Sequence, residues 1–414
     1  MNKNVYCLNL KEKFLFFDVD TMEKIEIGRS ELTRTKLLDI MGHFEMKYNY
    51  IERFSAVPHD MLINPTIVTG FDCNYRCNYC FEKNIGLKRE KMQLEDIGLI
   101  KKFYEVYCSH YKHPINYGVV RVIGGEPLLL KNMKLLERIF EEWEDQEVEI
   151  TTNGTYILDY IELFKRNNVK FKVSIDGTER VHLKNRICTQ KDAYRNAVLG
   201  IKELLENKKR VLIITVFSPE NVLDYPRFFD MLENLGWLKD KNLSLAFIPK
   251  RNYGCDDIDR RYLLESLEGL NRLMKIDSRT RFVNKHKMVP GAIELEQGLI
   301  LSNNKEFEPY RCANLYNPNF CFLPEGDVSI CMGAINKNGT IGRYKPEVEI
   351  DYKKLDIIKA RRIDRNEKCQ VCSYKVFCRG GCLATALSRT SNCLEHVCDL
   401  WNTPDFIKYL ELAF

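Results

Sequence analysis

Three cysteines crowd into the stretch Phe71-Asp-Cys-Asn-Tyr-Arg-Cys-Asn-Tyr-Cys-Phe81: Cys73, Cys77 and Cys80, spaced C-x3-C-x2-C. Three thiolates on one short loop can hold three irons of a cubane cluster and leave the fourth iron open. An open iron can bind a small molecule and pass it an electron. A structural zinc takes four ligands, commonly from two C-x2–4-C pairs, so this loop is one ligand short.

A second constellation lies far downstream. It reads Cys312, Cys321, Gly326, Cys331, then Cys369-x2-Cys372-x5-Cys378-x3-Cys382, then Cys398. Eight such cysteines make two sets of four, which suits two cubane clusters. A zinc ribbon could use two C-x2-C pairs but has no need of C-x5-C-x3-C. Of the chain's 16 cysteines, three fall at 73–80 and nine between 312 and 398. Cys393 is a runner-up ligand beside Cys398. Cys7, Cys108, Cys188 and Cys255 are scattered singly and read as ordinary buried thiols.

The bulk numbers limit the alternatives. A chain of 414 residues has room for two or three domains. Its 45% hydrophobic and 29% charged content is that of a globular protein. No run approaches the roughly 18 apolar residues of a spanning helix, and the N-terminus lacks an apolar signal core. A cytoplasmic protein without a membrane partner is expected. In a reducing compartment clustered cysteines mean metal or catalysis rather than disulfides. The net charge of +5 is spread thinly, with no dense Lys/Arg tract among aromatics. No nucleic-acid partner is expected.

The elements that must position the cysteines follow from periodicity. Residues 1–65 read as a small α+β module: strands Val5–Leu10, Phe14–Val19 and Lys24–Ile27, then a helix carrying Leu32, Leu37, Leu38, Ile40 and Met41. Residues 66–248 alternate strand and helix, within a domain expected over 66–275. The strands are Thr66–Gly70, Val119–Ile123, Val148–Thr152, Lys170–Ile175, Val211–Phe217 and Leu243–Phe247. The amphipathic helices are Leu94–Tyr107, Met133–Trp143, Ala193–Leu205 and Tyr225–Leu235. Right-handed crossovers then give an α/β array of six parallel strands, with function at the strands' C-terminal ends. Helices are expected at Asp257–Met274 and Gly291–Leu301, residues 276–308 form a bridge, and 403–414 a terminal helix.

Chemistry-bearing residues fall at those strand ends. The cysteine loop follows the first strand. Gly124-Gly125-Glu126-Pro127 follows the second: glycines let backbone approach a ligand, and a carboxylate beside them accepts bonds from an ammonium. Thr151-Thr-Asn-Gly-Thr155 follows the third and Ser174-Ile-Asp-Gly177 the fourth. Arg186 stands twelve residues past Ser174.

The Cys73–Cys80 spacing, with Tyr79 before the last cysteine, resembles the cluster motif of radical S-adenosylmethionine (radical SAM) enzymes. Their core is a six-stranded partial (βα)6 barrel. The resemblance implies that the free iron chelates the amino and carboxylate groups of S-adenosylmethionine. Electron transfer then cleaves the cofactor to a 5′-deoxyadenosyl radical, which takes hydrogen from a substrate. Gly124, Gly125 and Glu126 resemble the family's GGE motif, which binds the cofactor's amino group. Asn153, Ser174 and Asp176 resemble its nucleoside-binding segments, with Ser174 and Asp176 toward the ribose hydroxyls. Arg186 stands where similar enzymes fork the cofactor's carboxylate, and Tyr79 would offer main-chain contacts to adenine.

Residues 309–402 resemble the SPASM domain of radical SAM peptide and protein maturases. By that resemblance Cys312, Cys321, Cys331 and Cys382 hold an inner 4Fe-4S cluster, and Cys369, Cys372, Cys378 and Cys398 an outer one. Some relatives leave the iron at the Cys321 position open. Three 4Fe-4S clusters are thus expected. Relatives form thioether or carbon–carbon links, or oxidise Cys or Ser to formylglycine. The sulfatase-maturing branch has an aspartate general base where this chain has Met332, which argues against formylglycine. Residues 1–65 resemble the element that pairs an edge strand with a leader peptide. The expectation is therefore a peptide maturase that installs a side-chain crosslink, thioether before carbon–carbon, on a ribosomally made precursor. A flavodoxin or ferredoxin would supply electrons. The alternatives are a sulfatase maturase and, from another class, a non-catalytic iron–sulfur electron carrier.

Overall fold

The N-terminal strands form where their alternation places them. β1 (Val5–Asn9), β2 (Lys13–Asp18) and β3 (Lys24–Gly28) make an antiparallel sheet in that order. Helix α1 (Arg34–Glu45) follows. The Thr33 hydroxyl accepts from the Lys36 N–H, a side-chain cap on its first turn. Phe16, Ile27 and Ile40 are the buried centre of this unit.

This computed structural model describes residues 5–9, 13–18, 24–45, 62–80, 82, 90–188, 190–249, 265, 269, 277, 279, 317–336, 338–361, 366–370 and 380–390. The expected helices at 291–301 and 403–414, and that at 257–274 apart from residues 265 and 269, lie outside these residues. So do Cys255, Cys312, Cys372, Cys378, Cys393 and Cys398.

A ten-stranded sheet positions the site. Six of its strands are parallel neighbours in chain order: β4 (Thr66–Val68), β6 (Val120–Ile123), β7 (Val148–Thr152), β8 (Val169–Ser174), β10 (Val211–Phe217) and β11 (Leu243–Pro249). Helices α2 (Asp96–Tyr111), α3 (Met133–Glu142), α4 (Ile161–Arg166), α6 (Ala193–Glu206) and α7 (Tyr225–Asn234) fall in the crossovers. One face of the strands (Val120, Val122, Val148, Ile150, Phe171, Ile213) joins Ile97, Phe103, Leu136 and Ile139 of the helices in a single apolar core. Parallel strands need such cover because helical crossovers return over the sheet.

The other face is charged. Arg121, Glu149 and Lys170 occupy one register row across β6, β7 and β8. Glu149 lies 3.6 Å from Arg121, 3.6 Å from Lys170 and against Lys172. Burial would raise the Glu149 carboxyl; Lys172, Lys170 and Arg121 outweigh that and hold it below its ordinary value.

Within the expected cysteine-rich domain, residues 309–402, the described strands prolong the parallel sheet. β12 (Cys321–Phe322) pairs parallel with β4, and β13 (Asp327–Ser329), β14 (Thr340–Arg343) and β15 (Glu349–Ile350) continue antiparallel. The cause is packing. Phe320 and Phe322 are buried against Phe103 and Tyr104 of α2, with ring centroids 5.4–6.2 Å apart. Each phenyl side chain so buried stabilises by about 2 kcal/mol. Gly326 takes φ +99° in the β12–β13 hairpin turn, a conformation that favours glycine.

Several short elements escaped the sequence reading, among them two strands and a helix beside the cysteines. β5 (Tyr75–Cys77) and β9 (Arg186–Cys188) form an antiparallel ladder of their own. Helix α5 (Glu179–Asn185) leads directly into β9.

Candidate active site

The cysteine segment is half strand. Tyr75, Arg76 and Cys77 pair with Cys188, Ile187 and Arg186, so Cys77 faces Arg186 across the ladder. The Asn78 N–H continues it to the Asn185 carbonyl at 2.9 Å. Cys73, Cys77 and Cys80 are all of intermediate exposure.

The Gly-Gly-Glu stretch is fastened to this segment by backbone. Gly125 N–H donates to the Gly70 carbonyl at 2.9 Å, and Glu126 N–H to the Asp72 carbonyl at 2.8 Å. A Cβ on Gly124 would sit 2.4 Å from the Gly70 oxygen, and one on Gly125 2.3 Å from the Asp72 oxygen. The two glycines therefore let the second strand's loop approach the first strand's loop. Sequence reasoning assigned that close approach to a ligand.

Glu126 is 2% exposed, and its carboxylate accepts three bonds from this chain. They come from the Thr152 hydroxyl at 2.6 Å, the Asn153 N–H at 2.7 Å and the Leu128 N–H at 2.9 Å. Burial pushes the carboxyl up to about 7 against these donors. The residue thus joins three strand ends: β4 through its backbone N–H to the Asp72 carbonyl, β6 by its own place, and β7 through its carboxylate to Thr152 and Asn153. Asn153 extends the network, its amide donating to Asn74 Oδ1 at 2.8 Å with Cys73 Sγ at 3.9 Å.

A second network closes the other side. Asp176 is fully buried. It accepts from the Tyr79 hydroxyl and from Val216 N–H at 3.1 Å, and pairs with Arg186 Nε at 3.1 Å. The Arg186 guanidinium stands 5.3 Å from the Tyr79 ring centroid, a cation–π approach, and its Nη1 is 4.0 Å from Cys77 Sγ. Burial pushes the Tyr79 hydroxyl up, so it stays protonated and donates. His182 Nδ1 accepts the Asp176 N–H at 3.3 Å, which puts the imidazole proton on Nε2. Ser174 ends β8 on the charged face and is part-exposed.

Burial pushes the Cys73 thiol up to about 12. Burial also raises the Cys77 thiol, with Arg186 opposing. Among the described residues no group of three or more His, Cys, Asp or Glu side chains is set to hold a metal ion. A cubane spreads its three thiolates over three irons rather than one, and soft sulfur donors suit iron–sulfur clusters.

Sequence reasoning missed several neighbours of these groups. Thr152, Asn74 and His182 are polar residues whose only signal was closeness to strand ends. Cys188 is a correction: expected as an ordinary buried thiol, it is part-exposed and stands opposite Tyr75, 3.3 Å from the Asn74 carbonyl. Cys108 is buried as expected.

Of the C-terminal cysteines, Cys321 is buried on β12 beside Thr66, and burial pushes its thiol up to about 12. Cys331 precedes the turn Met332–Ala334, and Cys382 precedes the helix Leu383–Thr390. Those two elements pack together: a Cβ on Gly333 would lie 3.2 Å from that of Ala384. Cys369 is buried in the short helix Glu367–Gln370.

Residues 67–232, the stretch holding the cysteine ladder, the Gly-Gly-Glu loop, Asp176 and Arg186, match the family model of the Radical SAM superfamily. Over that stretch the chain is similar to the Radical SAM superfamily. Members of that superfamily are enzymes that use S-adenosylmethionine and a 4Fe-4S cluster, and this chain is an enzyme. The alternative of a non-catalytic electron carrier is thereby overturned. Among curated relatives, GTP 3′,8-cyclase of Campylobacter jejuni subsp. doylei is 25% identical over 284 residues, covering 65% of this chain and 77% of that one. GTP 3′,8-cyclase of Alkaliphilus metalliredigens is 29% identical over 193 residues, covering 42% and 58%. Among solved structures, native anSMEcpe with bound AdoMet aligns with TM-score 0.63 at 17% identity, covering 85% of this chain and 97% of that one. Streptococcus suis SuiB bound to S-adenosylmethionine aligns with TM-score 0.53 at 15% identity, covering 97% and 100%. These structural likenesses show the fold: a radical SAM core with a central parallel sheet and a C-terminal extension. No helix among the described residues is long and apolar enough to cross a membrane.

Proposed function

We propose that this enzyme is a radical SAM peptide maturase. It takes hydrogen from a ribosomally made precursor peptide and installs a side-chain crosslink, a thioether in preference to a carbon–carbon bond. The observation that carries this reading is the attachment of the cysteine-bearing hairpin to the catalytic sheet. Cys321 sits beside Thr66 on the strand that leads into the Cys73 loop, and Cys331 and Cys382 flank packed elements. An auxiliary cluster held there would sit on the same sheet as the first. Support comes also from folds of the same kind crystallised with peptides: SuiB bound to precursor peptide SuiA, and anSMEcpe with Kp18Cys peptide.

Cys73, Cys77 and Cys80 would hold the first cluster. When bound, cluster and S-adenosylmethionine together supply the hydrogen-abstracting radical. The chain's own residues prepare the site. Glu126, Thr152 and Asn153 lock the strand ends at fixed spacing. Arg186 supplies a fixed cation beside Cys77, suited to a carboxylate, and Asp176 with Tyr79 holds it in place. Residues 309–402 would carry two auxiliary clusters, and residues 1–65 would receive the leader peptide on an edge strand.

A second reading, cyclisation of GTP, is favoured by the curated relatives, whose printed activity is GTP 3′,8-cyclase. One experiment separates the two. Anaerobically reconstituted protein is given S-adenosylmethionine and dithionite with either GTP or the peptide encoded by a short Cys-rich reading frame beside the gene. A peptide product lighter by two hydrogens supports maturation. A cyclised nucleotide with unchanged peptide would replace it with the second reading.

A further inference from the structure

The ladder of β5 and β9 has an outward face. Side chains alternate along both strands. Tyr75 and Arg186 are buried and Cys77 and Cys188 half-buried, while Arg76 and Ile187 are exposed opposite one another. Ile187 is 53% exposed. Helix α5 adds exposed Leu183 and Lys184 just before β9. From the same helix Arg180 reaches the buried Asp224 carboxylate at 3.1 Å. Leu223, beside Asp224, is 83% exposed.

Large exposed apolar side chains gathered among cations mark an interaction surface. Asp224 pairs with both Arg180 and Arg227, so the cations of this surface are Arg76, Arg180, Lys184 and Arg227 against the carboxylates of Asp224 and Glu179, an excess of positive charge. The place is equally telling: Arg76 is the residue next to Cys77. A partner seated on Arg76 and Ile187 is separated from the cluster thiols by one strand.

We propose that this face docks an acidic one-electron carrier protein that reduces the cluster held by Cys73, Cys77 and Cys80. The inference rests on the radical SAM reading of those cysteines. The carrier loses one electron and the cluster gains one; no bond forms or breaks and no proton moves. Complementary charge would steer the encounter, and the apolar side chains would hold the complex briefly.

The test uses an acidic bacterial flavodoxin as probe and the full-length, reconstituted enzyme. Its affinity is measured at low and at physiological salt for wild type, Lys184→Glu, Leu223→Glu and, as control, Lys353→Glu on the distant helix Tyr352–Lys359. Both patch variants are expected to weaken binding on the order of tenfold and to flatten its salt dependence, with the control unchanged. Cleavage of S-adenosylmethionine driven by dithionite should be equal in all four proteins. Wild-type affinity in both patch variants, or no saturable binding of flavodoxin to wild type, overturns the proposal. Absence of dithionite-driven cleavage in every protein would instead overturn the reading of the cysteines, while the affinities still decide the docking face.

Discussion

Cys77 and Arg186 face each other in the β5–β9 ladder, with Arg186 Nη1 4.0 Å from Cys77 Sγ. Through the same arginine the thiol is linked to Asp176 at the end of β8 and to the ring of Tyr79, two residues from Cys77. The consequence for stability is large, because Asp176 is fully buried and Arg186 is 8% exposed. Removing one partner of such a pair strands the other charge and costs about 3–5 kcal/mol. Arg186→Ala should therefore lower the unfolding free energy of the cluster-free protein by that amount. The double variant Asp176→Asn/Arg186→Ala should recover part of it. Urea denaturation measures both, and additive losses would mean that the pair does not act as a unit.

Glu126 gives a pH signature. Burial raises its folded-state carboxyl from 4.5 to about 7. Between those values the folded chain holds a proton that the unfolded chain has lost. The resulting stability is complete below the unfolded value and disappears as pH rises through about 7. Relative to Glu126→Gln, wild type should lose up to about 3 kcal/mol between pH ~4.5 and pH ~8. The variant itself turns an amide N–H2 either toward the Asn153 N–H or toward the Leu128 N–H and Thr152 hydroxyl, an added penalty of about 1–3 kcal/mol. Denaturation at the two pH values reads out both, and parallel pH slopes would remove Glu126 as the titrating group.

Cys77→Ala tests the first cluster directly. It should remove about four irons per chain and all 5′-deoxyadenosine production while sparing the C-terminal cysteines. Cleavage retained without Cys77 would end its assignment as a ligand.

These residues were unequally legible. Most of the parallel strands and the helices α2, α3, α6 and α7 were readable because their periodicity runs long enough to register: Val211–Phe217 alternates over seven residues, and α3 repeats Leu135, Leu136, Ile139 and Phe140 along one face. β5 and β9 were not, since three residues hold too little period to register. Arg186 was found only by resemblance; its place opposite Cys77 came from a pairing across more than a hundred residues. The joining of β12 to β4 was hidden for the same reason. The run Asn319–Leu323 is apolar enough for a buried strand, but nothing local names Thr66 as its neighbour. Glycine meaning was also ambiguous: Gly124 and Gly125 declare a close approach without declaring what approaches.

The auxiliary clusters predict an iron count. With all three present the reconstituted enzyme should hold about twelve irons per chain. Cys331→Ala and Cys372→Ala should each remove about four and leave the first cluster. An unchanged count would exclude the altered cysteine as a ligand. A wild-type count near four, or zinc in place of iron, would undo the peptide-maturase proposal, because the hairpin attached to the catalytic sheet would then carry no auxiliary cluster.

The N-terminal sheet makes the last prediction. Its order β1-β2-β3 leaves β1 and β3 each with one edge unpaired within that sheet. An edge strand offers a row of backbone donors and acceptors to an extended peptide. Among the described residues the core beneath it is Phe16, Ile27 and Ile40 with a few part-buried neighbours. Deleting residues 1–60 should weaken precursor-peptide affinity at least tenfold while leaving dithionite-driven cleavage of S-adenosylmethionine near wild type, since every group placed around Cys73–Cys80 lies beyond the deletion. Affinity measured on the peptide and cleavage measured without it keep the two effects apart. Equal peptide affinity in the truncated enzyme would make the module structural and send the search for a leader-binding edge to β11 or β15, the outer strands of the large sheet.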